Sequence, residues 1–130
     1  MRRVFSGAVL SAALLVAGTS AVLAQVPPKG DPAVGAALFE DRCVMCHVAA
    51  GGGQGPSLAG IFGRGAGSAA GFHYTPALKA SGITWGAAEL DRFLAGPSKA
   101  VPGTAMAVTI HDPRQRADLI AYFAARKPKP

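Results

Sequence analysis

Cys43-Val44-Met45-Cys46-His47 is the stretch on which the reading of this 130-residue chain turns. It holds both of the chain's cysteines. Two thiols separated by two residues, with histidine immediately after, form the pattern of covalent c-type haem attachment. The order has a chemical reason. Each thiol adds across one haem vinyl group and fixes the porphyrin against the peptide, and the next residue then projects its imidazole at the iron. Cys43 and Cys46 are the expected tethers and His47 the expected iron ligand. The same residues have three competing uses: a disulfide in an exported protein, a thioredoxin-like redox pair, or half a zinc site. The redox pair would want a surrounding βαβ pattern and zinc a second ligand pair. Neither context is present. One motif implies one haem c.

Upstream of the motif, Met1-Arg2-Arg3 supplies a positive start, Ala8 to Val22 is mostly apolar, and Val22-Leu23-Ala24 is a small-residue cleavage site. This predicts a secretory signal peptide over residues 1–24. A membrane anchor is the rival reading, but Ser11, Gly18, Thr19 and Ser20 interrupt the run, which falls short of the roughly 20 apolar residues that span a bilayer. Residues 25–130 then form one domain, too short for two. Losing Arg2 and Arg3 lowers the formal net charge from +6 to +4. A weakly basic surface permits an acidic protein partner, but the clustered Lys/Arg stripe expected of a nucleic-acid binder is missing. No second spanning segment follows residue 25, so the processed protein is expected to have no stable membrane insertion.

Three helical stretches stand out. The first opens at Asp31-Pro32, a good cap followed by a good first residue, and runs to about Arg42. The second begins near Thr84-Trp85, places Leu90, Phe93 and Leu94 at helical spacing, and stops at Gly96-Pro97. The third opens at Asp112-Pro113, turns Leu119, Ile120, Tyr122 and Phe123 to one face, and ends in Arg126-Lys127-Pro128, cations that suit the helix dipole. Glycine-rich chain fills Gly51 to Gly71, with no alternating run long enough for a sheet. The expected class is all-α, with three main helices and long loops. Small, loop-heavy domains bury a modest share of their surface, and a haem would serve as the internal filler.

A second axial ligand must come from after the motif, where His73, Met106 and His111 are the candidates; Met45 is excluded by its place between the tethers. Met106 follows Pro102-Gly103-Thr104-Ala105, a loop able to hold a thioether over the haem. A lone methionine is as readily core filler, and spacing alone does not choose between the two.

From Gly35 to Tyr122 the chain resembles the class I cytochromes c, the mitochondrial protein and its short bacterial relatives. The matching segments are Gly55-Pro56-Ser57-Leu58, Gly60-Ile61-Phe62-Gly63-Arg64, Gly71-Phe72-His73-Tyr74-Thr75, Gly82-Ile83-Thr84-Trp85, Pro102-Gly103-Thr104-Ala105-Met106 and Asp118-Leu119-Ile120-Ala121-Tyr122. The resemblance implies that Met106 is the distal ligand and that His73 and His111 are ordinary loop residues. It implies that the Pro56 carbonyl accepts the second imidazole N–H of His47. It also implies that Tyr74, Trp85 and Thr104 donate to the haem propionates while Arg64 compensates their charge. Gly35 and Phe39 match residues that pack on the last helix, here at Leu119 and Tyr122.

The chain departs from that pattern around the distal side. Phe93 replaces a family tyrosine whose hydroxyl reaches the methionine sulfur, Leu78 an asparagine, and Val108 a phenylalanine near the exposed haem edge. Ser98 and Ala105 stand where the mitochondrial protein has lysines, leaving Lys79 and Lys99 nearby. The function expected is a periplasmic, monomeric one-electron carrier, not an enzyme, with a His47/Met106-ligated haem c. It would shuttle between a donor complex or dehydrogenase and an acceptor oxidase or reductase. The alternative is a dedicated haem c subunit of a periplasmic oxidoreductase complex.

Overall fold

Three of the described helix starts are written as a capping side chain followed by proline. In the computed structural model, which describes residues 29–126, Asp31 caps helix α1 (Pro32–Arg42), its Oδ1 accepting from the N–H groups of Ala33 at 2.8 Å and Val34 at 3.3 Å. Thr75 Oγ1 caps the five-residue α2 (Pro76–Ala80) through the Leu78 N–H. Asp112 caps α5 (Pro113–Ala125) through the Arg114 N–H at 2.8 Å. Proline at the first position loses no bond there, because that N–H has no partner inside the helix. The two long helices expected at the ends of the domain are thus found with the starts read from sequence. The expected signal peptide and the Lys127-Pro128 end lie outside the described residues.

The middle helix, α3 (Ala87–Ala95), starts later than its sequence suggests. Thr84 pairs with Gly65 in an isolated antiparallel bridge, and the Trp85 N–H donates to the Arg64 carbonyl at 2.9 Å. The backbone of 84–85 is therefore committed to the facing loop and cannot enter a helix. Gly96-Pro97 ends α3 as expected, but Pro97 also opens a short further helix, α4 (Pro97–Ala100). Among the described residues the class is all-α, and no helix is long and apolar enough to cross a membrane.

α1 and α5 cross at close range. Gly35 is buried in α1, and a Cβ there would collide with the backbone of Asp118. Next to this crossing Phe39 meets Tyr122 at 5.4 Å and Phe123 edge-on at 6.0 Å between ring centroids. Asp118, though almost fully buried, is satisfied. Its Oδ1 accepts from the Asp31 N–H at 2.7 Å and pairs with Arg114 at 3.4 Å, tying the start of α1 to α5. A buried carboxylate is tolerable only with such partners. Ile61, Trp85, Leu90, Phe93, Leu94, Val101, Ile110, Leu119 and Phe123 complete the core.

Candidate haem site

The motif sits where α1 unwinds. Cys43 is the C-cap residue, its N–H donating to the Phe39 carbonyl, and the N–H groups of Cys46 and His47 turn back onto the Cys43 carbonyl at 3.2 and 2.8 Å. This tight turn carries Cys43, Cys46 and His47 into the wall of one cavity of about 350 Å³. The Gly55 N–H donates to the Cys46 carbonyl at 2.9 Å, which brings the following loop back beside the turn.

His47 is held from two sides. Its Nδ1 lies 2.8 Å from the Pro56 carbonyl. A carbonyl can only accept, so Nδ1 carries the proton, and Nε2 keeps a lone pair available to a metal. Gly55 is buried against the ring: a Cβ there would stand 2.5 Å from Cε1 and 2.7 Å from Nδ1. Gly55 and Pro56 together leave the imidazole little freedom to rotate, and a ring held in this way is pre-oriented for ligation.

The other expected residues converge on the same cavity. Pro56, Arg64, Tyr74, Trp85, Thr104 and Met106 all line it, as does His73, whereas His111 does not. Arg64 donates to the carbonyls of Ala59 at 2.8 Å and Ser57 at 3.0 Å, which fixes its guanidinium at the cavity wall. The Tyr74 hydroxyl accepts from the Ala69 N–H at 3.3 Å and keeps its own proton to donate. Thr104 Oγ1 accepts from the Met106 N–H at 3.4 Å. Trp85 is buried edge-to-face against Phe93 at 5.1 Å. Phe93, Leu78 and Val108, the positions that depart from the class I pattern, also line the cavity.

Much of the remaining wall is the core itself, including Ile61, Leu90, Leu94, Leu119 and Phe123. No carboxylate is among the described lining residues, while Arg42 and Arg64 are. An apolar slot with cations and neutral donors at its wall suits a large flat apolar group bearing anionic substituents. The two cysteines are not joined in a disulfide. Burial pushes the Cys43 thiol up from its ordinary pKa, partly offset by Arg42 and reinforced by Cys46. Two thiols, a pre-oriented imidazole and a thioether facing one apolar cavity fit a covalently tethered haem.

The sequence does not by itself reveal Gly55, which packs against the His47 ring, or Arg116, which bonds to Asp91 and to the carbonyls of Ile110 and His111. Neither has a local signature, because the role of each depends on a neighbour brought up by the fold.

The cytochrome c family profile matches residues 32–126. Cytochrome c of Chlamydomonas reinhardtii is 48% identical over 100 residues, spanning 74% of this chain and 89% of the algal protein. That of Ulva intestinalis is 46% identical over 100 residues, covering 74% and 90% of the two chains. Among solved structures, cytochrome cH from Methylobacterium extorquens superimposes with a TM-score of 0.70 at 44% identity, over 74% of this chain and 99% of that one.

Proposed function

The chain belongs to the cytochrome c family and carries one haem c covalently through Cys43 and Cys46, and from that premise we propose that it is a diffusible one-electron carrier whose iron is held between His47 and Met106. Haem supplies the one-electron chemistry when bound; the protein's part is to orient, tune and enclose it. The observation that carries the reading is the hydrogen bond from His47 Nδ1 to the Pro56 carbonyl in a cavity that also contains Met106. It makes Nε2 the donor atom and fixes the direction in which it points.

Met106 brings a soft, neutral thioether. Paired with histidine it favours a relatively high potential and occupies the position a small molecule would need. Tyr74, Trp85 and Thr104 are assigned to donate to the propionates, and Arg64, anchored by two carbonyls, to offset their charge. Phe93 gives the cavity wall a ring without a hydroxyl, so no donor at position 93 withdraws density from the sulfur.

The processed protein, residues 25–130 after loss of residues 1–24, is assigned to the periplasm as a monomer. Donor and acceptor are redox proteins: a complex or dehydrogenase on one side, an oxidase or reductase on the other. Few lysines surround the expected exit edge, so electrostatic steering toward an acidic patch is weaker than a full lysine ring would give. The test is stopped-flow mixing of the reduced holoprotein with a panel of candidate oxidases and reductases. Rapid, reversible single-electron exchange with at least one supports the reading; turnover of a small-molecule substrate by the isolated protein would overturn it.

A further inference from the structure

Arg116 makes three bonds, two of them to the end of the segment carrying Met106. From α5, its Nε pairs with Asp91 Oδ1 on α3 at 2.7 Å, and one terminal nitrogen donates to the carbonyls of Ile110 and His111 at 2.9 Å each. The Arg116 side chain is only 12% exposed, although Asp91 is 47% exposed, so the guanidinium is enclosed while its carboxylate partner is half in water. Ile110 is itself fixed: it is 1% exposed and its N–H donates to the Leu94 carbonyl at 2.8 Å.

The loop that holds Met106 thus has two feet. The first, Val101, is buried and tied locally to the Pro97 carbonyl at 2.8 Å. The second, Ile110-His111, is held by the backbone bond of Ile110 to α3 and by the two bonds that Arg116 sends back from the second turn of α5. Between Met106 and that second foot, Ala107 and Val108 line the haem cavity and are not part of the buried core. A segment outside the core that is held at its two ends opens locally more often when either anchor is weakened. We infer that Arg116 is a positioning residue that keeps Met106 over the haem by clamping the second foot, with Asp91 orienting its guanidinium.

The inference rests on Met106 being the distal ligand. Its test uses imidazole binding to the ferric holoprotein at mildly alkaline pH, where the probe is neutral and insensitive to a lost cation. Arg116→Gln should bind imidazole about tenfold faster than wild type, a change equivalent to about 1.4 kcal/mol. Asp91→Asn, the milder variant, should give about threefold. Arg116→Lys should fall between Arg116→Gln and wild type, because an ammonium cannot span all three acceptors. Asp118→Asn weakens the other clamp on α5, away from this loop, and should lower the denaturation midpoint without accelerating binding. Equal rates for Arg116→Gln and wild type would overturn the clamp, as would equal acceleration by Asp118→Asn. The ligand reading fails separately: wild type and Met106→Ala would then bind imidazole at the same rate.

Discussion

The imidazole of His47 donates from Nδ1 to the carbonyl of Pro56 at 2.8 Å, with Gly55 packed flat against the ring. Any side chain at 55 must displace either the ring or the loop. Gly55→Ala should therefore lower holoprotein stability by about 1–3 kcal/mol, the usual cost of overpacking, and alter the proximal histidine's hyperfine-shifted proton resonances in the ferric state. Denaturant titration and NMR check this. Unchanged resonances at unchanged stability would mean that the ring is not confined by Gly55.

The α1–α5 crossing predicts a larger effect. A methyl group at Gly35 meets the backbone of Asp118 rather than a flexible side-chain tip, so the helices must separate and loosen the Phe39–Tyr122 contact. Gly35→Ala should cost roughly 3 kcal/mol or more, seen as an early denaturation midpoint. Its absorption spectrum at low denaturant should match wild type, because Gly35 itself does not line the haem cavity.

Phe93→Tyr places a hydroxyl in the distal wall, where Phe93 is 7% exposed. A donor to the Met106 sulfur would withdraw electron density and favour the ferrous state, so the potential should rise modestly. A hydroxyl that found no partner would instead cost about 1–3 kcal/mol of stability. A clear fall in potential measured by redox titration would contradict a hydroxyl at position 93 reaching the sulfur.

Cys43→Ala and Cys46→Ala each remove one thioether, and the domain relies on haem to fill its core. Both variants should fail to accumulate as stable holoprotein. Recovery of covalent haem at wild-type yield from the double variant, judged by denaturing gel and haem staining, would contradict the attachment.

How far the sequence can be read depends on where each residue's partners lie. α1 and α5 were legible because a cap, a proline and the apolar face all fall within one element. The start of α3 was not, since the bonds that hold Thr84 and Trp85 extended come from Gly65 and Arg64. α2 and α4 are too short to show periodicity, though Thr75-Pro76 repeats the cap-proline form of the longer helices. In the site, Cys43, Cys46 and His47 were legible from spacing and chemistry alone. Pro56, Arg64, Tyr74, Trp85 and Thr104 needed the resemblance, because no local pattern distinguishes a cavity-lining tyrosine or tryptophan from a core one. Arg116 reads as one more cation on a helix until its acceptors at 91, 110 and 111 are brought beside it.

The central claim is that Met106 closes the iron of an electron carrier, and carbon monoxide binding to the ferrous holoprotein at neutral pH tests it most directly. Wild type should bind none, while Met106→Ala should bind it readily, lose the weak near-infrared sulfur-to-iron band of the ferric state, and fall sharply in potential. Ready binding by the wild-type protein, or an unchanged band in Met106→Ala, would contradict the account and favour a haem enzyme or gas sensor.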